Sequence, residues 1–184
     1  MFFSVGGCIE LPIPDFIDNY HLPPGEHECT FMEIEKRFLT TSRRKMVWQL
    51  FINFLERLRF LNIFPDSILI DGSFVTGREE PGDVDVCLLI PPEKLINAYD
   101  NLGNDEDRES LKFIFNPKNQ KAVRLISGAH LLIAFDENSM SIFSDIFRTG
   151  GEQFHHNLRP PDKERDPEWV KTPVEKGILK VNFV

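Results

Sequence analysis

The chain has 184 residues, enough for one domain with a true core, and a hydrophobic content of 41% with 17 Phe excludes a disordered or low-complexity protein. A formal charge of −8 argues against the broad basic face that sequence-independent binding to a nucleic-acid backbone needs, while a local basic groove and nucleotide binding stay compatible with it. The three cysteines, Cys8, Cys29 and Cys87, are odd in number and scattered, which fits a reducing compartment and neither a disulfide frame nor a zinc site.

Residues 1–29 contain Pro12, Pro14, Pro23, Pro24 and Gly25 and are expected to form an extended arm, with a short edge strand at Phe2–Val5. The arm has no basic leader and no apolar window of about 18 residues follows anywhere, so a cytoplasmic protein without a membrane partner is expected. His21, His27 and Glu28 carry metal-ligating groups, but a turn or surface role is the better reading. Residues 30–62 read as a helical pair. Thr30 with Glu33 three residues on is a capping box opening a helix to about Leu39. A second helix runs from Ser42 to about Leu61, with Trp48, Phe51, Ile52, Leu55, Leu58 and Phe60 as a core stripe rather than a base-stacking platform. Arg43, Arg44 and Lys45 at its start are expected in solvent, with contact to a substrate phosphate as the rival role.

Ser67–Ile70 reads as an apolar strand, followed by a Gly72-Ser73 turn into a short helix, a polar loop with Gly77, Arg78, Pro81 and Gly82, and a strand from Asp83 to Ile90. Pro91 and Pro92 end that strand. A helix to about Leu102 follows, with Leu95, Ile96 and Tyr99 inward, and then the acidic run Asn104–Glu109 caps a helix to Phe115. Asn116–Gln120 is a loop, and Lys121–Ile126 a strand or connector in which Lys121 and Arg124 are candidate phosphate contacts. Ala129–Asp136 reads as a buried strand and Ser139–Arg148 as a helix. Residues 149–173 are polar and Pro-rich, with His155-His156 read as surface residues and Trp169 as an anchor. Gly177–Val184 alternates like a strand added at the sheet edge.

The chemistry concentrates in Gly72–Val86. Strand alternation points Asp83 and Asp85 to one side while Val84 and Val86 face the core, and two neighbouring carboxylates favour a hard divalent cation between them. Gly72 permits close approach of a ligand, and Ser73 offers an N–H and a hydroxyl at a helix start, where anions are favoured. Arg78 in the intervening loop suits a transferring phosphate, with an ion pair to Glu79 or Glu80 as the plainer alternative.

Gly72-Ser73, nine intervening residues and then Asp83-Val84-Asp85-Val86 resembles the signature of the polymerase-β-like nucleotidyltransferase superfamily. Leu22-Pro23-Pro24-Gly25-Glu26-His27-Glu28 followed by a helix also resembles small stand-alone nucleotidyltransferase-like proteins, a looser likeness that covers most of the chain. The resemblance implies a single α/β (α+β) domain over residues 1–184, in which a small mixed sheet is flanked by helices and residues 67–148 form the catalytic-type core. It implies transfer of a nucleoside monophosphate from an NTP to a hydroxyl acceptor, which could be RNA, protein or a small molecule, with pyrophosphate released. Asp83 and Asp85 would hold Mg²⁺, or alternatively Mn²⁺, while Gly72 and Ser73 would cradle the phosphates and Arg78 assist. The superfamily's third carboxylate falls at His130, which could serve as a general base or a nitrogen ligand, or could mark lost catalysis. Asp136 and Asp145 are alternative third acids in other registers. The rival function is therefore an inactive module of the same kind that binds a nucleotide or a protein partner, as in a toxin–antitoxin or defence system.

Overall fold

The computed structural model describes residues 13–149 and 175–183, and it is a mixed α/β structure built on a five-stranded sheet. In chain order the elements are β1 (Gly25–Glu28), α1 (Phe31–Phe38), α2 (Ser42–Phe60), β2 (Ser67–Asp71), a 3-10 turn (Gly72–Val75), β3 (Val84–Leu89), α3 (Pro92–Asn101), α4 (Asp105–Phe115), α5 (Gln120–Ser127), β4 (Ala129–Ala134), α6 (Glu137–Thr149) and β5 (Gly177–Asn182). The spatial order is β1-β5-β2-β3-β4, with β2 antiparallel to both neighbours and the outer pairs β1–β5 and β3–β4 parallel.

Strand alternation divides the core in two. Ile68, Ile70, Val84, Val86, Leu88, Leu131, Leu179 and Val181 face a large cluster under α1–α5 that includes Phe38, Trp48, Phe51, Phe54 and Leu58. Leu69, Cys87, Leu89, Ala134 and Ile178 face the other way, onto Met140 and Phe147 of α6. Where that second face runs out of apolar residues, Asp71, Asp85 and His130 follow in register across β2, β3 and β4.

Several expectations change. Lys121–Ile126 is helix α5, not a strand or connector, and its buried residues Val123 and Ser127 lie one turn apart. β5 lies inside the sheet between β1 and β2, not at its edge, and the arm contributes β1 as the edge strand. Ile96 and Phe60 are exposed rather than inward, their places taken by Ala98 and Phe54. β4 stands at the sheet edge, so it is half-buried and leaves His130 accessible. Phe2–Val5, Cys8, His155, His156 and Trp169 lie outside the described residues.

Candidate functional site

β2 carries one residue more than expected, Asp71, whose Cα partner in β3 is Asp85; Asp85 in turn pairs with His130 of β4. Three polar side chains thus stand in one row at the end of an otherwise apolar face. Gly72 follows with φ +80, a region that an L side chain enters only at a cost, and a Cβ there would run into Asp85 Oδ2. The bare glycine is what lets the Asp85 carboxylate lie against the turn. Ser73 holds the turn's far side, its carbonyl accepting from the Thr76 hydroxyl at 2.8 Å.

Each acid meets a different basic side chain. Asp71 is buried and its carboxylate accepts from Lys176 Nζ at 2.6 Å. Burial pushes the Asp71 pKa up, the charge of Asp85 adds to that, and Lys176 opposes it. Asp85 Oδ1 lies 3.0 Å from His130 Nδ1, and this contact raises the His130 pKa above the ordinary imidazole value against the opposing effect of partial burial. Asp83, just ahead of β3, forms an ion pair with Arg124 of α5, which the carboxylate holds more firmly protonated. Asp83, Asp85, Arg124 and His130 are all close enough to act on one another's charge, so the structure brings the carboxylate pair and the third group together.

The other candidates disperse. Asp136 sits beyond the opposite end of β4 and caps α6, accepting from the Ser139 N–H and hydroxyl at 2.7 Å each; these bonds lower its pKa. Asp145 is exposed on α6. Arg78 lines a polar cleft of about 420 Å³ with Arg43, Glu79, Glu80, Pro81 and Gly82, a lining that includes neither Asp85 nor His130. His21 bonds Asp18, His27 bonds the Pro23 carbonyl and Glu28 accepts from Asn182, so those three are not gathered on an ion. Arg44 is buried, contrary to expectation, and donates only to backbone carbonyls.

Sequence reasoning missed Asp71 and Lys176. Asp71 had a weak signal, since it continues the alternation set by Ser67 and Leu69. Lys176 had none, because its partner lies 105 positions away. A backbone bond from Lys176 N to the Arg148 carbonyl at the end of α6 fixes where that lysine enters.

The donor set suits a hard divalent cation in one respect: Asp83 and Asp85 bring two carboxylates to one place, where both act on the charge of Arg124 and His130, and an ion there would take over Asp83 Oδ2 from Arg124 Nε. Among the described residues no group of three or more His, Cys, Asp or Glu side chains converges on an ion, so this pair would furnish part of a shell. Mg²⁺ commonly binds in that way, through one or two carboxylates with substrate phosphates and water completing the octahedron.

Among the described residues no helix is long and apolar enough to cross a membrane. Comparison with curated proteins and with solved structures returned no match. Over residues 14–182, nearly all of the fold just described, the chain matches the family of unknown function DUF6932, and it belongs to that family.

Proposed function

We propose that this protein is a metal-dependent nucleotidyltransferase that moves a nucleoside monophosphate from an NTP to a hydroxyl acceptor. The observation that carries the reading is the Asp85 carboxylate, lying against the bare Gly72 of the Gly-Ser turn and bonded to His130. Gly72 and Ser73 take the phosphates, and Asp83 and Asp85 hold Mg²⁺ or Mn²⁺, which supplies charge neutralisation for the triphosphate when bound. The acceptor oxygen attacks the α-phosphorus, the bond to the bridging oxygen of the β-phosphate breaks, and pyrophosphate leaves. His130 is the third group. With Nδ1 engaged by Asp85 and nearly half of its side chain exposed, its Nε2 is the atom that takes the hydroxyl proton. Arg124 stands next to both carboxylates and is a better placed cation for the phosphates than Arg78.

A second reading is favoured by the one-to-one pairing of Asp71 with Lys176, Asp83 with Arg124 and Asp85 with His130. A site whose acids are already neutralised suits a module that binds a nucleotide or a protein partner without turnover.

The test is calorimetric binding of Mg²⁺-NTP, followed by assay of pyrophosphate release with cell extract as the acceptor source. Replacing both Asp83 and Asp85 by Asn is expected to abolish binding while leaving the circular dichroism spectrum unchanged. Surviving affinity in that variant would refute the site, and binding without pyrophosphate release would support the second reading.

A further inference from the structure

The segment between the Gly-Ser turn and Asp83 is a loop of nine residues, and loops of this kind are ordinarily among the least constrained parts of a fold. Here the start of α2 holds it along almost its whole length. Arg44 Nη1 donates to the Phe74 carbonyl at 2.7 Å, Nη2 to Thr76 at 2.7 Å and to Arg78 at 2.5 Å, and Nε to Arg78 at 3.1 Å. The Thr41 hydroxyl donates to the Glu79 carbonyl at 3.1 Å. Arg43 takes the last two, Pro81 at 3.1 Å and Gly82 at 2.6 Å. Six of the nine carbonyls therefore end on three side chains within one helical turn.

The choice of side chain is specific to this task. A guanidinium presents donors in a rigid planar fork, which lets Arg44 span three alternate carbonyls at once, whereas a lysine ammonium is a single point of donation. Arg44 is 3% exposed and lies against the rings of Phe38 and Phe74, so water does not compete for its donors. Packing α2 onto the sheet needs none of this, because Val47, Trp48, Phe51, Phe54 and Leu58 already bury that helix.

We infer that Arg43 and Arg44 are positioning residues that fix the loop from Phe74 to Gly82, and through it the spacing of the Gly72-Ser73 turn from Asp83. This rests on the proposed nucleotide site and explains how that site is ready before ligand arrives. Positioning of this kind matters because displacement of about 1 Å at a reacting centre can cost on the order of a hundredfold in rate.

The test uses the full chain with Arg43→Gln, in which the half-buried side chain loses charge and one face of its fork, and with Arg44→Lys, which keeps the charge and loses the fork. Hydrogen exchange of amides 76–80 and 82 and calorimetric affinity for Mg²⁺ with ATP, GTP, CTP or UTP are measured on each. Both variants are expected to exchange faster in that loop alone and to bind the preferred nucleotide about tenfold more weakly, with melting temperature little changed for Arg43→Gln. Unchanged exchange, or faster exchange at unchanged affinity, overturns the inference; wild-type exchange and affinity in Arg44→Lys overturn it for Arg44. Should Arg44→Lys fail to fold, Arg43→Gln decides alone. Wild-type protein that binds none of the four nucleotides overturns the nucleotide reading itself, and this inference with it, before any variant is compared.

Discussion

His130 and Asp85 come from strands whose sequence positions are 45 apart, yet the 3.0 Å contact between them makes Asp85 the main electrostatic influence on the imidazole at an accessible edge. The consequence is a pH dependence with a definite sign. The folded imidazole titrates above its unfolded value near 6.5, so the pair's contribution to stability is complete below about pH 6.5 and disappears as the pH climbs through the raised folded value. An NMR titration is expected to place His130 above 6.5, and Asp85→Asn to bring it down; a folded Asp85→Asn variant with an unmoved His130 pKa would contradict the geometry. Residue by residue, what could be read in advance was what neighbours in sequence decide. Asp83 and Asp85 were legible as neighbours because side chains two positions apart in an extended run share a face, and Asp83 stands immediately ahead of β3. Arg44 was not, because a charged residue in a first helical turn normally faces water, and only the fold reveals the carbonyls that surround it.

β2, the 3-10 turn and β3 act as one element, and its geometry hinges on residue 72. Gly72→Ala would place a methyl group on a positive φ and against Asp85 Oδ2, so the turn or the carboxylate must move. A loss of at least about 2 kcal/mol in urea unfolding is expected from the backbone strain and the overlap together. A change below about 0.5 kcal/mol, the range of an ordinary surface substitution, would mean that the turn does not fit Asp85 as described. At this scale the signals of helix ends were dependable. Thr30 and Glu33 form the expected reciprocal cap, and Asn104 caps α4 ahead of three acids in its first turn. The misreading of α5 has a physical origin: Val123, Leu125 and Ile126 form a short apolar run without visible period, and Leu125 and Ile126 turn out to be exposed. The helix ends at Gly128 in the left-handed region, where a Cβ would press on Leu50 and on the Val47 carbonyl of α2.

Across the molecule, the least legible feature was which strands become neighbours, because alternation announces a strand but not its partners. β5 closes the sheet from within, its ladder joining β1 on one side and β2 on the other, although its sequence reads like any terminal edge strand. Its removal therefore differs in kind from trimming an edge. Ile178, Leu179 and Val181 are at most 5% exposed, and burying side chains of this size stabilises by roughly 1.5–3 kcal/mol each, comparable in sum with the whole net stability of a domain, about 5–15 kcal/mol. Losing β5 also leaves β1 unpaired, and losing Lys176 leaves the buried Asp71 carboxylate without its cation. A chain ending at residue 175 is thus expected to lose cooperative thermal unfolding, whereas Lys176→Met in the full chain should retain it with a lowered melting temperature. The comparison separates the strand from the ion pair: if the shortened chain still melts in a single sharp transition near that of the full chain, β5 is dispensable and the order β1-β5-β2-β3-β4 cannot be what holds the fold together.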